Sequence, residues 1–173
     1  MGEQAARGEA AAEAPPERIV RSVAELQALL GQELARGQWV EITQRLIDDF
    51  NAATGGDPSA TPAAEPTARP GRDRPDDAVV PGFFLLAAGA LLGRGRRGVA
   101  VDLGGKLTVN YGLNRARFPA PVRVGQRVRT RTTLVAVEEL DHRAVQITRR
   151  QTIEIEGESE PACVAETVGR VYF

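Results

Sequence analysis

The sequence contains a single cysteine and a single histidine among its 173 residues. One cysteine, Cys163, cannot form an internal disulfide, which favours a reducing compartment such as the cytoplasm. Without a second cysteine or grouped histidines there is no zinc-site spacing, so we expect no metal and no cofactor. Cys163 lies in a strand-like stretch, which predicts a buried structural thiol rather than a nucleophile.

Long apolar runs and an excess of either charge are also missing. No run of eighteen apolar residues occurs, so no membrane span is predicted. Lysine and arginine number 22 against 23 acidic residues, and this balance gives no field that would attract nucleic acid or anionic lipid. The length and the 42% of apolar residues predict one domain with its own core.

Two segments lack the residues that a core requires. Residues 1–18 are rich in alanine and glutamate, and we predict a disordered tail there. Residues 55–77 contain five prolines and no large apolar side chain, which predicts a long loop. The folded domain should therefore span residues 19–173.

The first half of that domain has helical spacing of apolar residues. From Ile19 to Leu34 they recur every three or four positions, behind a capping box of Ser22 and Glu25, which predicts an amphipathic helix. A short strand is expected from Trp39 to Ile42. Thr43 should then cap a second helix, whose inner face carries Leu46, Ile47 and Phe50.

The second half combines one apolar helix with a series of strands. The helix opens at Pro81-Gly82 and runs to Leu92, and it is so apolar that we expect it to be wrapped on all sides. Strand patterns with turn signals between them follow to the end of the chain. This order predicts an α+β fold, an antiparallel sheet curled around a central helix. The predicted strands cover residues 99–101, 106–111, 115–118, 127–138, 144–156 and 162–173.

Three segments resemble the MaoC-like hydratases and dehydratases, their NodN-like branch in particular. These are the entry strand and helix at Trp39 to Gly55, the NYGLN, RFPAPV and VGQRV runs within 99–128, and the PACVAE strand within 153–168. The resemblance implies a hot-dog fold and sheets joined edge to edge in a dimer. It also implies a tunnel beside the central helix for a thioester of coenzyme A or of an acyl carrier protein.

In that family an aspartate follows Thr-Gly, and a histidine five positions later completes the acid/base pair. With one inserted glycine, Asp57 matches the aspartate, but Pro62 occupies the histidine position. Pro81 stands where a second family histidine precedes Gly-Phe. We expect His142, within Asp141-His142-Arg143, to be an exposed hairpin residue, so it does not restore the pair.

The resemblance also implies substrate-binding residues. Pro81, Gly82 and Phe83 would form the binding region at the start of the central helix, where Gly82 places backbone N–H groups that polarise the thioester carbonyl; the alternative is that Pro81-Gly82 is merely a good helix start. Asn110 and Tyr111 would line the binding region, or else only shape the sheet. A basic cluster could meet a phosphate of the carrier, or simply keep the loop soluble; it comprises Arg69, Arg72 and Arg74.

Three functions remain open at this point. The protein acts on or binds an acyl-thioester or polyketide-type substrate with altered chemistry; it is a non-catalytic binding subunit or heterodimer partner; or it is a weak (R)-specific enoyl-thioester hydratase that relies on Asp57 alone. The resemblance favours a homodimer, because members of this family usually dimerise, and a heterodimer is the alternative. The sequence identifies neither the substrate nor the stereochemistry.

Overall fold

The computed structural model describes residues 17–55, 79–93, 96–141 and 143–173. Four helices and eight strands lie in these ranges. In chain order they are β1 Arg18–Val20, α1 Val23–Gln27, β2 Glu33–Arg36, β3 Val40–Glu41, α2 Gln44–Thr54, α3 Gly82–Ala87, α4 Gly89–Leu92, β4 Arg97–Val101, β5 Leu107–Arg117, β6 Arg127–Leu140, β7 Ala144–Ile155 and β8 Cys163–Tyr172.

The strands form one sheet in the order β1-β4-β2-β6-β7-β8-β5, and β3 pairs with β6 beside β2. All pairings are antiparallel except that of β1 with β4. The predicted α+β class and the mainly antiparallel sheet are therefore confirmed.

One face of this sheet, the inner face, carries the core. Its residues form two apolar clusters at opposite ends of the long strands. The first cluster gathers around α3 and α4 and includes Phe84, Leu85, Leu92, Val128, Ile153, Ile155, Cys163 and Ala165. The second cluster gathers around α1 and includes Val20, Leu26, Leu34, Leu134, Val145, Ile147 and Val171.

The central helix begins as predicted but is not wrapped on all sides. Pro81 is its N-cap, and a break at Ala88 divides it into α3 and α4. Phe84 and Leu85 are buried, whereas the side chain of Phe83 is 74% exposed. Because every side of this short helix is apolar, a single sheet face cannot cover it all.

The predicted helix from Ile19 to Leu34 is wrong in extent. Ser22 does cap a helix, since its Oγ accepts from Glu25 N at 3.2 Å, but α1 ends after five residues. The chain then turns at Gly31, which has a φ of +77°. Val20 and Leu34 are buried because β1 and β2 join the sheet. The apolar residues from Ile19 to Leu34 have the three- and four-residue spacing of a helix, although they lie on two strands, a short helix and a turn.

The remaining elements lie close to their predicted positions, with one merger. The two strands expected at 106–111 and 115–118 are a single strand, β5, with register shifts between Asn110 and Gly112 and between Leu113 and Arg115. A bulge adds a residue without ending the ladder, and bulges account for the irregular pattern that suggested a break. α2 buries Ile47 as expected, with Leu46 and Phe50 packed against the first cluster.

Most of the predicted tail and loop lies outside the described residues. At the edge of the tail, Glu17 N donates to Gly98 O at 3.0 Å, and Arg18 begins β1. No helix in the described ranges is both long enough and apolar enough to cross a membrane.

Candidate functional site

The start of α3 is fixed by the segment that follows β5. The Phe118 ring covers Gly82 so closely that a Cβ on Gly82 would lie 2.9 Å from Phe118 Cγ. The Phe83 and Phe118 rings pack with their centroids 6.1 Å apart, and Val80 N donates to Val122 O at 2.8 Å. The requirement for glycine at position 82 is therefore steric.

The first turn of α3 presents backbone donors. Phe84 N donates to Pro81 O at 3.0 Å, which closes the turn. The N–H groups of Gly82 and Phe83 precede any possible partner within the helix, as at every helix start. Within the described residues neither has a backbone acceptor outside the helix. N–H groups of this kind can donate to a carbonyl or carboxylate oxygen.

The structure separates Asn110 from Tyr111. Asn110 pairs with Gly169 of β8, so it shares the inner face with that residue. Tyr111 lies at the first bulge of β5, and its ring stacks under the Arg170 guanidinium, whose Cζ is 3.3 Å from the ring centroid. Arg170 bonds Gln146 on the other face of the sheet, the outer face, so Tyr111 belongs to that face.

Cys163 is a core residue, as predicted. It is fully buried at the start of β8 opposite Ile153. Burial raises the pKa of its thiol to about 11. A thiol with that pKa stays protonated at neutral pH and is a poor nucleophile.

A polar strip formed by Arg149 and Gln151 crosses the inner face between the two apolar clusters, and it was not predicted from the sequence. Inward positions on β7 alternate as Val145, Ile147, Arg149, Gln151, Ile153 and Ile155. Leu134 and Thr167 are the cross-strand partners of Arg149 on β6 and β8. The signal was present in the sequence, because two polar residues interrupt an otherwise apolar alternation.

Arg149 differs in its partners from Arg115 and Arg150 on the outer face. Burial lowers the pKa of its guanidinium, and the nearby positive charge of Arg96 lowers it further. Among the described residues no carboxylate forms an ion pair with Arg149. On the outer face, by contrast, Glu166 Oε1 accepts from Arg115 at 2.7 Å and from Arg150 at 3.0 Å.

Comparison with known proteins identifies the group to which this architecture belongs. No family model matches the chain. The chain is 42% identical over 159 residues to 3-hydroxyacyl-thioester dehydratase Z of Mycobacterium tuberculosis, covering 88% of this chain and 97% of the relative. It is 30% identical over 153 residues to nodulation protein N of Rhizobium leguminosarum, with 88% and 92% covered. The chain belongs to the MaoC-like hot-dog family.

The fold agrees with that membership. The structure of a MaoC-like dehydratase from Rhodospirillum rubrum superposes with a TM-score of 0.59 at 14% identity, covering 85% of this chain and 95% of the other. The hot-dog fold predicted from the sequence is therefore confirmed, and so is the resemblance to the NodN-like branch.

Several residues named in the predictions above lie outside the described residues. These are Asp57, Pro62, Arg69, Arg72, Arg74 and His142. Their roles stay predictions. In the described ranges no three or more histidine, cysteine or acidic side chains are grouped to hold a metal ion.

A groove of about 340 Å³ lies at the far end of the sheet from the first cluster. It follows the β6–β7 hairpin and includes Glu139, Arg143 and Phe173 in its lining, together with Val23, Leu140, Ala144 and Val145. No residue predicted to bind substrate lines this groove. The start of α3 and the inner face remain the candidate site.

Proposed function

We propose that the protein binds acyl thioesters and acts on them as a dehydratase-type lyase whose proton transfer is altered. The observation that carries this proposal is the 42% identity to a 3-hydroxyacyl-thioester dehydratase across 97% of that relative. Similarity over the full length supports a shared substrate class more strongly than the fold does, because one fold serves many functions.

The start of α3 supplies the part of the chemistry that needs no histidine. Removing water from a 3-hydroxyacyl thioester takes a proton from the α carbon and places negative charge on the thioester oxygen. The N–H groups of Gly82 and Phe83 would stabilise that oxygen, and fixed donors of this type contribute strongly to such reactions. The packing of Gly82 against Phe118 holds these donors in place.

The acid/base part is reduced. Pro62 and Pro81 stand where the family resemblance places histidines, and the remaining acid/base candidate is Asp57. Each general acid or base contributes roughly 10²–10⁴-fold to the rate. We therefore expect binding to be retained and standard turnover to be weak.

The test is a direct assay with purified protein, 2-enoyl-CoA and (R)-3-hydroxyacyl-CoA thioesters. Calorimetry measures binding, and enoyl absorbance measures hydration and dehydration. We expect binding with slow turnover, and loss of that turnover in Asp57→Asn. Asp48→Asn is the matched control, because Asp48 lies exposed on α2 and interacts with Gln44.

Three results separate the possibilities. Turnover as fast as that of an enzyme with an intact pair would contradict altered proton transfer. Binding without any turnover would favour the non-catalytic subunit. No binding of either thioester would overturn the proposal.

We also propose that β5 joins two subunits. It ends the sheet, pairs only with β8 among the described strands, and leaves Leu107, Tyr111 and Leu113 each more than half exposed. A long strand edge with apolar side chains favours pairing with another chain. A second copy of this chain is the simplest partner, and a related hot-dog chain is the alternative.

Light scattering tests the assembly. We expect a dimer for the purified chain and a monomer for the Leu107→Asp, Leu113→Asp double variant. Ile19→Asp is the control, because Ile19 is also exposed but lies on β1 at the other end of the sheet. A monomeric wild-type chain that dimerises only with another hot-dog protein would replace the homodimer by the heterodimer.

A further inference from the structure

We propose that Arg149 and Gln151 form a binding site on the inner face for a carboxylate carried by the acyl group. This inference rests on the proposed function, because it specifies which acyl thioesters the site prefers. It concerns residues to which neither the family resemblance nor the named relatives assign a role.

The orientation of Arg149 follows from strand pairing. Cross-strand partners place their side chains on the same face of a sheet. Arg149 pairs with Leu134 and lies two positions after Ile147, and both of these are buried in the second apolar cluster. The guanidinium is therefore directed to the inner face of the sheet, between the two apolar clusters.

β8 leaves room for this side chain at Gly169. A Cβ on Gly169 would lie 3.6 Å from Arg149 Nη1, so the guanidinium passes over a position without a side chain. Asn110 of β5 is the cross-strand partner of Gly169 and shares its face. The guanidinium therefore extends from β7 towards β5, the more exposed side of the inner face.

The charge of Arg149 is partly buried and has no counter-ion among the described residues. Its pKa is lowered first by burial and then by Arg96, which has contacts of its own. A desolvated cation without a counter-ion is unfavourable unless something compensates for it. Among the described residues no carboxylate does so, and the proposed site supplies a bound anion as its partner.

The surroundings indicate which anion fits. A guanidinium binds a carboxylate through two parallel hydrogen bonds, and the Gln151 amide on the same face can donate a further one. Ile147 and Ile153 flank this pair along β7 and are buried in the two apolar clusters. Apolar surface on both sides of a cation suits an acyl chain that carries a carboxylate better than it suits a free phosphate.

The test compares adipyl-CoA with hexanoyl-CoA, which have the same chain length and differ by a carboxylate in place of a methyl group. We expect the wild type to bind adipyl-CoA about tenfold to a hundredfold more tightly than hexanoyl-CoA, because hydrogen bonds between charged groups are stronger than those between neutral groups. Arg149→Met should abolish this preference and leave hexanoyl-CoA binding within about threefold. Arg149→Lys should keep part of it, because lysine retains the charge but not the two parallel donors.

Arg150→Met is the matched control. Arg150 is the next residue on β7, lies on the outer face and pairs with Glu166, so its loss should leave the preference unchanged. Circular dichroism confirms that each variant is folded. If Arg149→Met binds adipyl-CoA as tightly as the wild type does, the carboxylate site is wrong while the proposed function stands.

A separate measurement tests the carboxylate site even if the proposed function is wrong. If neither thioester binds, thermal unfolding with free adipate examines the carboxylate site alone. Stabilisation of the wild type that disappears in Arg149→Met supports the site without the thioester. No stabilisation by adipate overturns the site as well.

Discussion

Arginine side chains on the two faces of the sheet have different partners. On the outer face Glu154 Oε2 accepts from Arg129 at 2.7 Å, and Glu166 accepts from both Arg115 and Arg150. On the inner face Arg149, adjacent to Arg150 in the chain, has no ion pair among the described residues. Paired surface charges contribute modestly to stability, whereas a desolvated unpaired charge opposes it.

This difference between the two faces indicates where a functional site lies. Sequences violate the rules of stability mainly at functional sites, so a local violation marks such a site. The outer face obeys these rules, because Arg115, Arg129 and Arg150 meet carboxylates there, and Arg170 meets Gln146 and the ring of Tyr111. The inner face departs from them at Arg149, which lies between the two apolar clusters.

The largest expected effect is a loss of stability when a core side chain on the inner face is truncated. Ile147→Ala removes a side chain that is 1% exposed in the second apolar cluster. Deletions of this kind lower the free energy of unfolding by about 2–5 kcal/mol, because they lose buried contacts and leave a cavity. Urea denaturation measures the change.

Gln146→Ala is the outer-face control for that measurement. Gln146 contacts Glu138 and Arg170 near the surface, so its removal should cost at most about 1 kcal/mol. Equal losses in the two variants would contradict the assignment of the core to the inner face.

A smaller effect should have opposite signs at two adjacent positions. Arg149→Met replaces a partly buried cation that has no ion pair among the described residues by an apolar side chain of similar length, and we expect a gain of up to roughly 1 kcal/mol in unfolding free energy. Arg150→Met removes an ion pair to Glu166 and should lower stability slightly. Denaturant midpoints at matched pH and salt measure both changes.

The sign of the Arg149 effect decides its meaning. A loss of stability in Arg149→Met would show that the guanidinium supports the fold, and the comparison between the two faces would then fail. A gain agrees with a residue retained for a ligand, since stability is commonly given up at functional sites.

Strand periodicity was sufficient to predict most of the sheet. β6, β7 and β8 could be predicted because alternate residues are apolar along long runs bounded by turns. The segment from Ile19 to Leu34 could not, because strands of three and four residues are too short to show a period of two. There the pairing with β4 and β6 decides the structure, and that pairing lies far away in the sequence.

Part of the candidate site could also be predicted from the sequence, and part could not. The opening of α3 at Pro81-Gly82 is visible in the sequence, since proline and glycine mark a helix boundary. The contact between Gly82 and Phe118 is not, because it depends on how the segment after β5 folds back. The unpaired state of Arg149 depends on three strands at once, so only the folded chain reveals it.

The smallest expected effect is the pH dependence of the stability that Glu166 on the outer face contributes. Hydrogen bonds from Arg150 and then Arg115 hold the pKa of Glu166 below its ordinary value of 4.5. A carboxyl group whose pKa is lowered on folding stabilises the protein above its unfolded-state pKa. It loses that contribution as the pH falls through the folded-state value.

We therefore expect the stability difference between the wild type and Glu166→Gln to be constant near neutral pH and to shrink from about pH 5 downward. Denaturant midpoints across that range measure it, and high salt should reduce it. The difference between the wild type and Arg149→Met should not vary over the same range, because a guanidinium does not titrate there. A Glu166 difference that is independent of pH would show that the outer-face carboxylate is stabilised no more in the folded chain than in the unfolded one.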